Sequence, residues 1–268
     1  MKKEIRRIFN AAIKRGLPAG DGHPVLVLPG ILEHDLYTVS LRKCIKTMGY
    51  KVYGWENGIN TGISEKSLGH LRDHLQKIFT DNGGQKITLI GHSLGGIVAR
   101  ELAREFPEMV RDVITIGTPF GGFGKGKNDV PPHLLALHKY LNPDTAYLIT
   151  DEDMVKRLLT PPPVPTTSIF SKGDRVVAWK ACLNPDTPQS ENIEIHTNHL
   201  AHLTMLFSPA VAVILMDRLA GKEGAWKPFN TQGYESLTYP HTLKEKDIPA
   251  DPGWTGKMKP LFKKPPRP

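Results

Sequence analysis

Cysteine is scarce in this chain. Only Cys44 and Cys182 occur among 268 residues, far apart in sequence. That count excludes a disulfide framework and suits a reducing compartment. Neither thiol lies in a Cys–His nucleophile pattern, so both read as small buried apolar side chains. Long hydrophobic runs are missing too: no stretch of 18 apolar residues exists, so no transmembrane helix is expected. The opening Met1-Lys2-Lys3-Glu4-Ile5-Arg6-Arg7-Ile8-Phe9 is basic and lacks the apolar centre of a signal peptide. A cytoplasmic location is therefore the expectation. Acidic residues are fewer than basic ones, 27 against 35, and the excess of +8 sits at the two ends. Residues 1–16 carry Lys2, Lys3, Arg6, Arg7, Lys14 and Arg15 against Glu4 alone, and residues 221–268 carry nine Lys or Arg against five Asp or Glu. The intervening core is close to neutral. Such ends are first of all solvated and aid solubility. They also offer weak contact with an anionic membrane or polymer surface. No nucleic-acid partner is expected.

What is present is enough for one substantial core. A chain of this length with 39% hydrophobic and 23% charged residues fits a globular domain. From residue 24 onward, short apolar runs alternate with longer amphipathic ones. Strands are predicted at 24–28, 51–55, 86–90, 112–117, 167–170 and 192–196. Helices are predicted near 35–48, 64–80, 94–105 and 205–219. This alternation specifies an α/β architecture, a doubly wound and mostly parallel sheet with helices on both faces. Residues 1–22 form a basic helical segment, 23–220 the main domain, and 221–268 a basic extension with eight prolines and little periodicity. A long irregular insertion spans 120–165, after the strand at 112–117.

The richest motif is Gly91-His92-Ser93-Leu94-Gly95-Gly96. It follows the apolar strand Lys86-Ile87-Thr88-Leu89-Ile90 and precedes the helical run Ile97-Val98-Ala99-Arg100-Glu101-Leu102-Ala103. Strand, G-x-S-x-G, helix is the context of a nucleophile elbow, a sharp turn that lifts a serine hydroxyl clear of the sheet. The glycines allow the strain and let helix and strand pass closely. The helix N-terminus supplies backbone N–H groups for a developing oxyanion.

This elbow resembles that of the α/β-hydrolase esterases and lipases. The resemblance continues in Val25-Leu26-Val27-Leu28-Pro29-Gly30-Ile31 and in Ile114-Thr115-Ile116-Gly117-Thr118-Pro119, and covers roughly residues 23–220. It implies an α/β-hydrolase fold and a Ser–His–Asp triad whose members follow the order Ser, acid, His. The acid then follows the strand Thr167-Ser168-Ile169-Phe170, and Asp174 stands there before Val176-Val177, as family members similarly have it. Asp186, in Asn184-Pro185-Asp186, is better read as a turn residue. The base follows the last strand, in Ile195-His196-Thr197-Asn198-His199-Leu200-Ala201-His202. His196 belongs to the strand end. Similar proteins place the base seven residues before the proline that opens the last helix. Counting back from Pro209 gives His202, with His199 as the alternative. For the oxyanion hole the resemblance implies the Leu94 amide and, from the Pro29-Gly30-Ile31-Leu32 loop, the Ile31 amide. This loop resembles the His-Gly-X loop of lipases, with Pro29 in place of the histidine.

Two other chemistries are not expected. The three histidines 196, 199 and 202 would need to share a helix face to bind metal, and no carboxylate or cysteine has matching spacing. Gly121-Gly122-Phe123-Gly124-Lys125-Gly126-Lys127-Asn128 nearly fits a phosphate loop, but Asn128 lacks the hydroxyl and Pro131-Pro132 blocks the helix that should follow. No cofactor and no metal are therefore expected. The implied activity is hydrolysis of carboxylic esters, of small-molecule or lipid type, through an acyl-enzyme. Acyl transfer, amide or thioester cleavage on the same triad, and a non-catalytic binding role, are the alternatives. The apolar residues of 120–165, among them Leu134, Leu137, Leu141 and Leu158, suggest a cap over an acyl-chain pocket or a static helical excursion that only covers the core.

Overall fold

The computed structural model describes residues 20–121, 132–145, 152–197, 201–230 and 232. The basic segment before residue 20, most of the near-phosphate-loop stretch, His199 and all of the extension after 232 lie outside the described residues.

The chain runs β1 (Pro24–Leu28), α1 (Asp35–Thr47), β2 (Lys51–Tyr53), α2 (Glu65–Asp81), β3 (Ile87–His92), α3 (Leu94–Glu105), β4 (Val110–Ile116), α4 (Pro132–Leu141), α5 (Glu152–Leu159), β5 (Thr166–Phe170), β6 (Ser190–Glu194), α6 (Ala201–Thr204) and α7 (Pro209–Ala220). The six strands form one sheet in the order β2-β1-β3-β4-β5-β6, and every pairing is parallel. A parallel sheet must be covered on both faces, which is why β1 and β3 are buried end to end.

Side chains alternate between the faces. Val25, Val27, Ile90, Ile114 and Ile116 join one core, closed by Leu41 and Ile45 of α1 and by Val211, Ile214 and Leu215 of α7. Leu26, Leu28, Leu89 and Val113 join the other, closed by Leu71 and Leu75 of α2 and by Ile97, Val98 and Leu102 of α3. Each such Val or Leu contributes about 1.5–3 kcal/mol by leaving water. Local signals set the helix starts. Ser64 and Ser67 make a capping box ahead of α2, and Ser208 caps α7 with Pro209 in its first turn. Both cysteines are free and buried, and burial pushes the Cys44 thiol up to about 11.

The strand order reverses between β1 and β3, and this opens a crevice at the carboxyl ends of those strands. The loops after β1, β3, β5 and β6 meet there. At the other end of the molecule the first residues of the C-terminal extension pack back onto the domain. Phe229 is buried in the α1–α7 core, and its amide donates to Glu191 at 2.7 Å.

The insertion differs from the irregular stretch expected from sequence, because it contains α4 and α5. Helix α5 is fastened to α3. Arg157 bonds Glu101 at 2.7 Å, and the fully buried Arg100 donates to the Leu158 carbonyl at 3.0 Å, to the Thr160 carbonyl at 3.1 Å and to Asn184 at 2.7 Å. Arg100 lies seven residues past Ser93, about 10 Å along the helix, so α5 covers core at a distance from the serine. The end of α4 instead leans on the loop at 60–63. Asn142 donates to the Thr61 carbonyl at 2.7 Å, and Thr145 to the Ile63 carbonyl.

His138 of α4 is buried, and neither ring nitrogen has a hydrogen-bond partner among the described residues. Burial holds its imidazole below the ordinary 6.5. The unfolded chain therefore takes up a proton near pH 6.5 at which the folded chain does not, and stability falls as pH drops through that value. The urea midpoint should decrease between about pH 7.5 and about pH 5.5, and a His138→Leu variant should show a smaller decrease. Equal pH dependence in the two proteins would contradict this account.

Candidate active site

Ser93 sits between β3 and α3 with φ 50 and ψ −123, a backbone conformation that β-carbon-bearing residues avoid. The strain is fixed by packing. A Cβ on Gly95 would lie 2.4 and 2.5 Å from the Leu28 and Pro29 carbonyl oxygens, and one on Gly91 would lie 2.3 Å from the Gly96 Cα. Helix α3 thus passes directly over the ends of β1 and β3. The Ser93 amide is tied to the Ile116 carbonyl at 2.9 Å, which locks the elbow to β4.

Asp174 follows β5 in a turn closed by its own amide to the Ser171 carbonyl at 3.1 Å. One carboxylate oxygen accepts the Val176 and Val177 amides at 2.8 and 2.9 Å. The other, Oδ2, lies 2.8 Å from His202 Nδ1. The carboxylate side chain is only 3% exposed, so its charge is satisfied by these donors rather than by water. Its charge also adds to burial in pushing up the neighbouring Cys182 thiol. His202 stands on α6, and its Nε2 lies 3.2 Å from Ser93 Oγ. Gly117, at φ 56, faces the dyad: a Cβ there would meet His202 Nδ1 at 3.3 Å and Met205 Cε at 2.9 Å. A contact of 2.5 Å between Ser171 Oγ and Thr197 Oγ1 joins the two loops that carry acid and base.

Ser93, His202 and Asp174 therefore form a continuous hydrogen-bonded chain, drawn from the elbow after β3, the short helix α6 and the turn after β5. The other residues weighed from sequence fall elsewhere. Strand β6 ends at Glu194, two residues earlier than expected, so His196 lies beyond it and is exposed. His199 is outside the described residues. Among the described residues no group of His, Cys, Asp and Glu is arranged to hold a metal ion.

Two neighbours of the triad were not singled out from sequence. Glu33 bonds both the Gly30 amide and His92, and His92 reaches the backbone of the base. The available signal was an acid three residues past Gly30 and a histidine beside the serine, which sequence alone does not pair.

The fold and site together define a protein of the α/β-hydrolase fold with a serine–histidine–aspartate constellation at the topological switch point. Residues 23–137 match the family described as alpha/beta hydrolase fold. The chain is 29% identical over 120 residues to a triacylglycerol lipase of Burkholderia plantarii, a segment covering 42% of this chain and 34% of that protein. It is 30% identical over 112 residues to a triacylglycerol lipase of Pseudarthrobacter phenanthrenivorans, covering 39% and 35%. The matched part thus spans about a third of each lipase. Among solved structures, one of two metagenome-derived lipolytic enzymes superposes with a TM-score of 0.52 at 16% identity, covering 75% of this chain and 94% of the other. At that identity it shows the shared fold.

The close approach at Gly95 generates a stability test. A Gly95→Ala variant pushes a methyl group into two backbone carbonyls that cannot rotate away, and should lose at least about 2 kcal/mol in chemical denaturation. A wild-type midpoint for that variant would show that α3 and β1 are less tightly apposed than described.

Proposed function

We propose that the protein is a serine hydrolase of carboxylic esters. The observation that carries this reading is the chain from Ser93 Oγ through His202 to Asp174, with contacts of 3.2 and 2.8 Å. A serine hydroxyl is a weak nucleophile at neutral pH and needs a base held in one orientation. His202 Nε2 accepts the Ser93 proton as Oγ attacks the ester carbonyl, while the Nδ1–H donates to Asp174 Oδ2 and keeps the imidazole in the productive tautomer. The alcohol leaves with the proton held on Nε2. Water, deprotonated by the same nitrogen, then cleaves the acyl-enzyme and restores Ser93.

The oxyanion donors in this reading are the Leu94 and Ile31 amides. Leu94 opens α3, so its N–H is one that no helical carbonyl reaches. In the turn after β1, the Leu32 amide goes to the Asn60 carbonyl and the Glu33 amide to the Gly30 carbonyl, and no partner is found among the described residues for the Ile31 amide. A donor of this kind contributes about 3 kcal/mol to the transition state. Leu32 and Leu203 flank the oxyanion turn and the base in sequence, and each is 54% exposed. Two exposed leucines adjoining the site in sequence favour an ester with an apolar acyl or alcohol part. The likeness to two triacylglycerol lipases supports the same substrate class.

The experiment is hydrolysis of p-nitrophenyl esters from acetate to palmitate by the wild type and by Ser93→Ala. The wild type should turn over at least one chain length. Ser93→Ala should fold normally and lose about 10⁴-fold or more in kcat. Asp174→Asn should lose about 10⁴-fold through the wrong tautomer. Ester hydrolysis that survives in Ser93→Ala would refute the proposal.

A further inference from the structure

Glu33 and His92 lie against the triad without belonging to it. The Glu33 carboxylate accepts the Gly30 amide through Oε2 at 2.5 Å. His92 Nδ1 lies 2.8 Å from Glu33 Oε1 and 3.1 Å from Oε2. Its other nitrogen, Nε2, lies 3.0 Å from the His202 carbonyl oxygen. His92 is 1% and Glu33 13% exposed, so water competes little for these contacts. The His92 and His202 rings are 5.0 Å apart between centroids. Beside them, Tyr37 donates its hydroxyl to the next carbonyl along, that of Leu203.

The chemistry of the contacts is restrictive. A backbone carbonyl only accepts, and so does an ionised carboxylate. With Glu33 ionised, His92 faces an acceptor at each nitrogen and donates from both, as an imidazolium does. Glu33 in turn accepts from a backbone amide and from the ring, the pattern that suits its ionised form. The position of that carboxylate is unusual for a site that generates an oxyanion. A Cβ at Gly30 would lie 3.0 Å from Ser93 Cβ and 3.1 Å from Glu33 Oε2, so carboxylate and nucleophile flank one small space. An uncompensated negative charge there opposes the charge that develops on the substrate oxygen.

We propose that Glu33 and His92 form a positioning pair for the reaction, in which Glu33 fixes the oxyanion turn, His92 fixes the backbone of the base, and the imidazolium neutralises the carboxylate that would otherwise repel the oxyanion. The pair spans the two halves of the site. Glu33 holds Gly30, the residue before the Ile31 donor, and His92 holds His202 through its carbonyl. Neither touches the reacting atoms. Burial, and next the charge of Glu33, push the Tyr37 hydroxyl up to about 12, which keeps that phenol a donor to Leu203.

This inference rests on the reading of Ser93 as a nucleophile, and the test separates the two. Kinetics on a p-nitrophenyl ester would be measured for His92→Gln, Glu33→Gln and the double variant, with thermal unfolding of each. His92→Gln keeps a donor but removes the positive charge, and should lower kcat about 100-fold with KM changed less than about twofold. The isosteric Glu33→Gln should cost about 10-fold, and the double variant should be faster than His92→Gln because the uncompensated carboxylate is gone. Losses that multiply in the double variant, or kcat unchanged in all three, would overturn the proposal. A second arm is independent of turnover. Nitrogen-15 NMR of the wild type should show slowly exchanging protons on both His92 nitrogens, and Glu33→Gln should retain only one. A single ring N–H in the wild type would overturn the pair even with an active enzyme. Were the wild type to hydrolyse no ester, the functional reading would fall while the NMR arm still decided the state of the pair.

Discussion

The elbow at Ser93 is held by the passage of α3 over the ends of β1 and β3. The serine backbone, at φ 50, costs about 1–3 kcal/mol relative to an ordinary turn. It stays there because the helix that follows cannot shift: Gly95 lies on two carbonyls of the β1 exit, and Gly91 lies on Gly96. Both sheet faces are filled with Val, Ile and Leu, so neither strand nor helix can relax the turn without opening core. The same contact brings Pro29 and Gly30 beside the nucleophile, and so sets where the turn after β1 stands.

Acid and base are held by a different device. Asp174 comes from the turn after β5, and His202 from the one-turn helix α6 that follows β6. Their geometry comes from polar fixings: two amides on Asp174 Oδ1, the Ser171–Thr197 contact between the loops, and the His92 and Tyr37 bonds to successive carbonyls at His202 and Leu203. Rigid packing positions the nucleophile, while buried hydrogen bonds position the proton relay. The insertion divides in the same way. Helix α5 is anchored on α3 through Arg100, Arg157 and Glu101, away from the serine, whereas α4 rests on the 60–63 loop. That loop supports the turn after β1 through Asn60, which donates to the Pro29 carbonyl at 2.8 Å and accepts the Leu32 amide.

Much of this was legible in the residues. Strand 24–28 and helix 94–105 match the structure residue for residue, because an apolar run with turn signals and an elbow motif leave little freedom of boundary. Strand β6 was displaced by two residues, since period-2 alternation is preserved under such a shift. The two helices of the insertion were not read, because they are short and lie among prolines and glycines. Asp174 and His202 were named through resemblance and spacing, and the structure brings both to Ser93.

The order in which acid and base follow the serine came from the family resemblance, whereas sequence by itself determined the layer order of the fold and the nucleophile with its elbow. Those properties are written locally, in hydrophobic period, glycine placement and strand-to-turn spacing. Only the tertiary structure decided that the Glu33 carboxylate meets His92, 59 residues away, and that His92 meets the backbone of His202, 110 residues away. The fastening of α5 to α3 was decided there as well. Such pairings are set by which loop ends the sheet brings to one edge. No local pattern carries that information, because a carboxylate at position 33 is chemically the same whether it faces water or a buried imidazole.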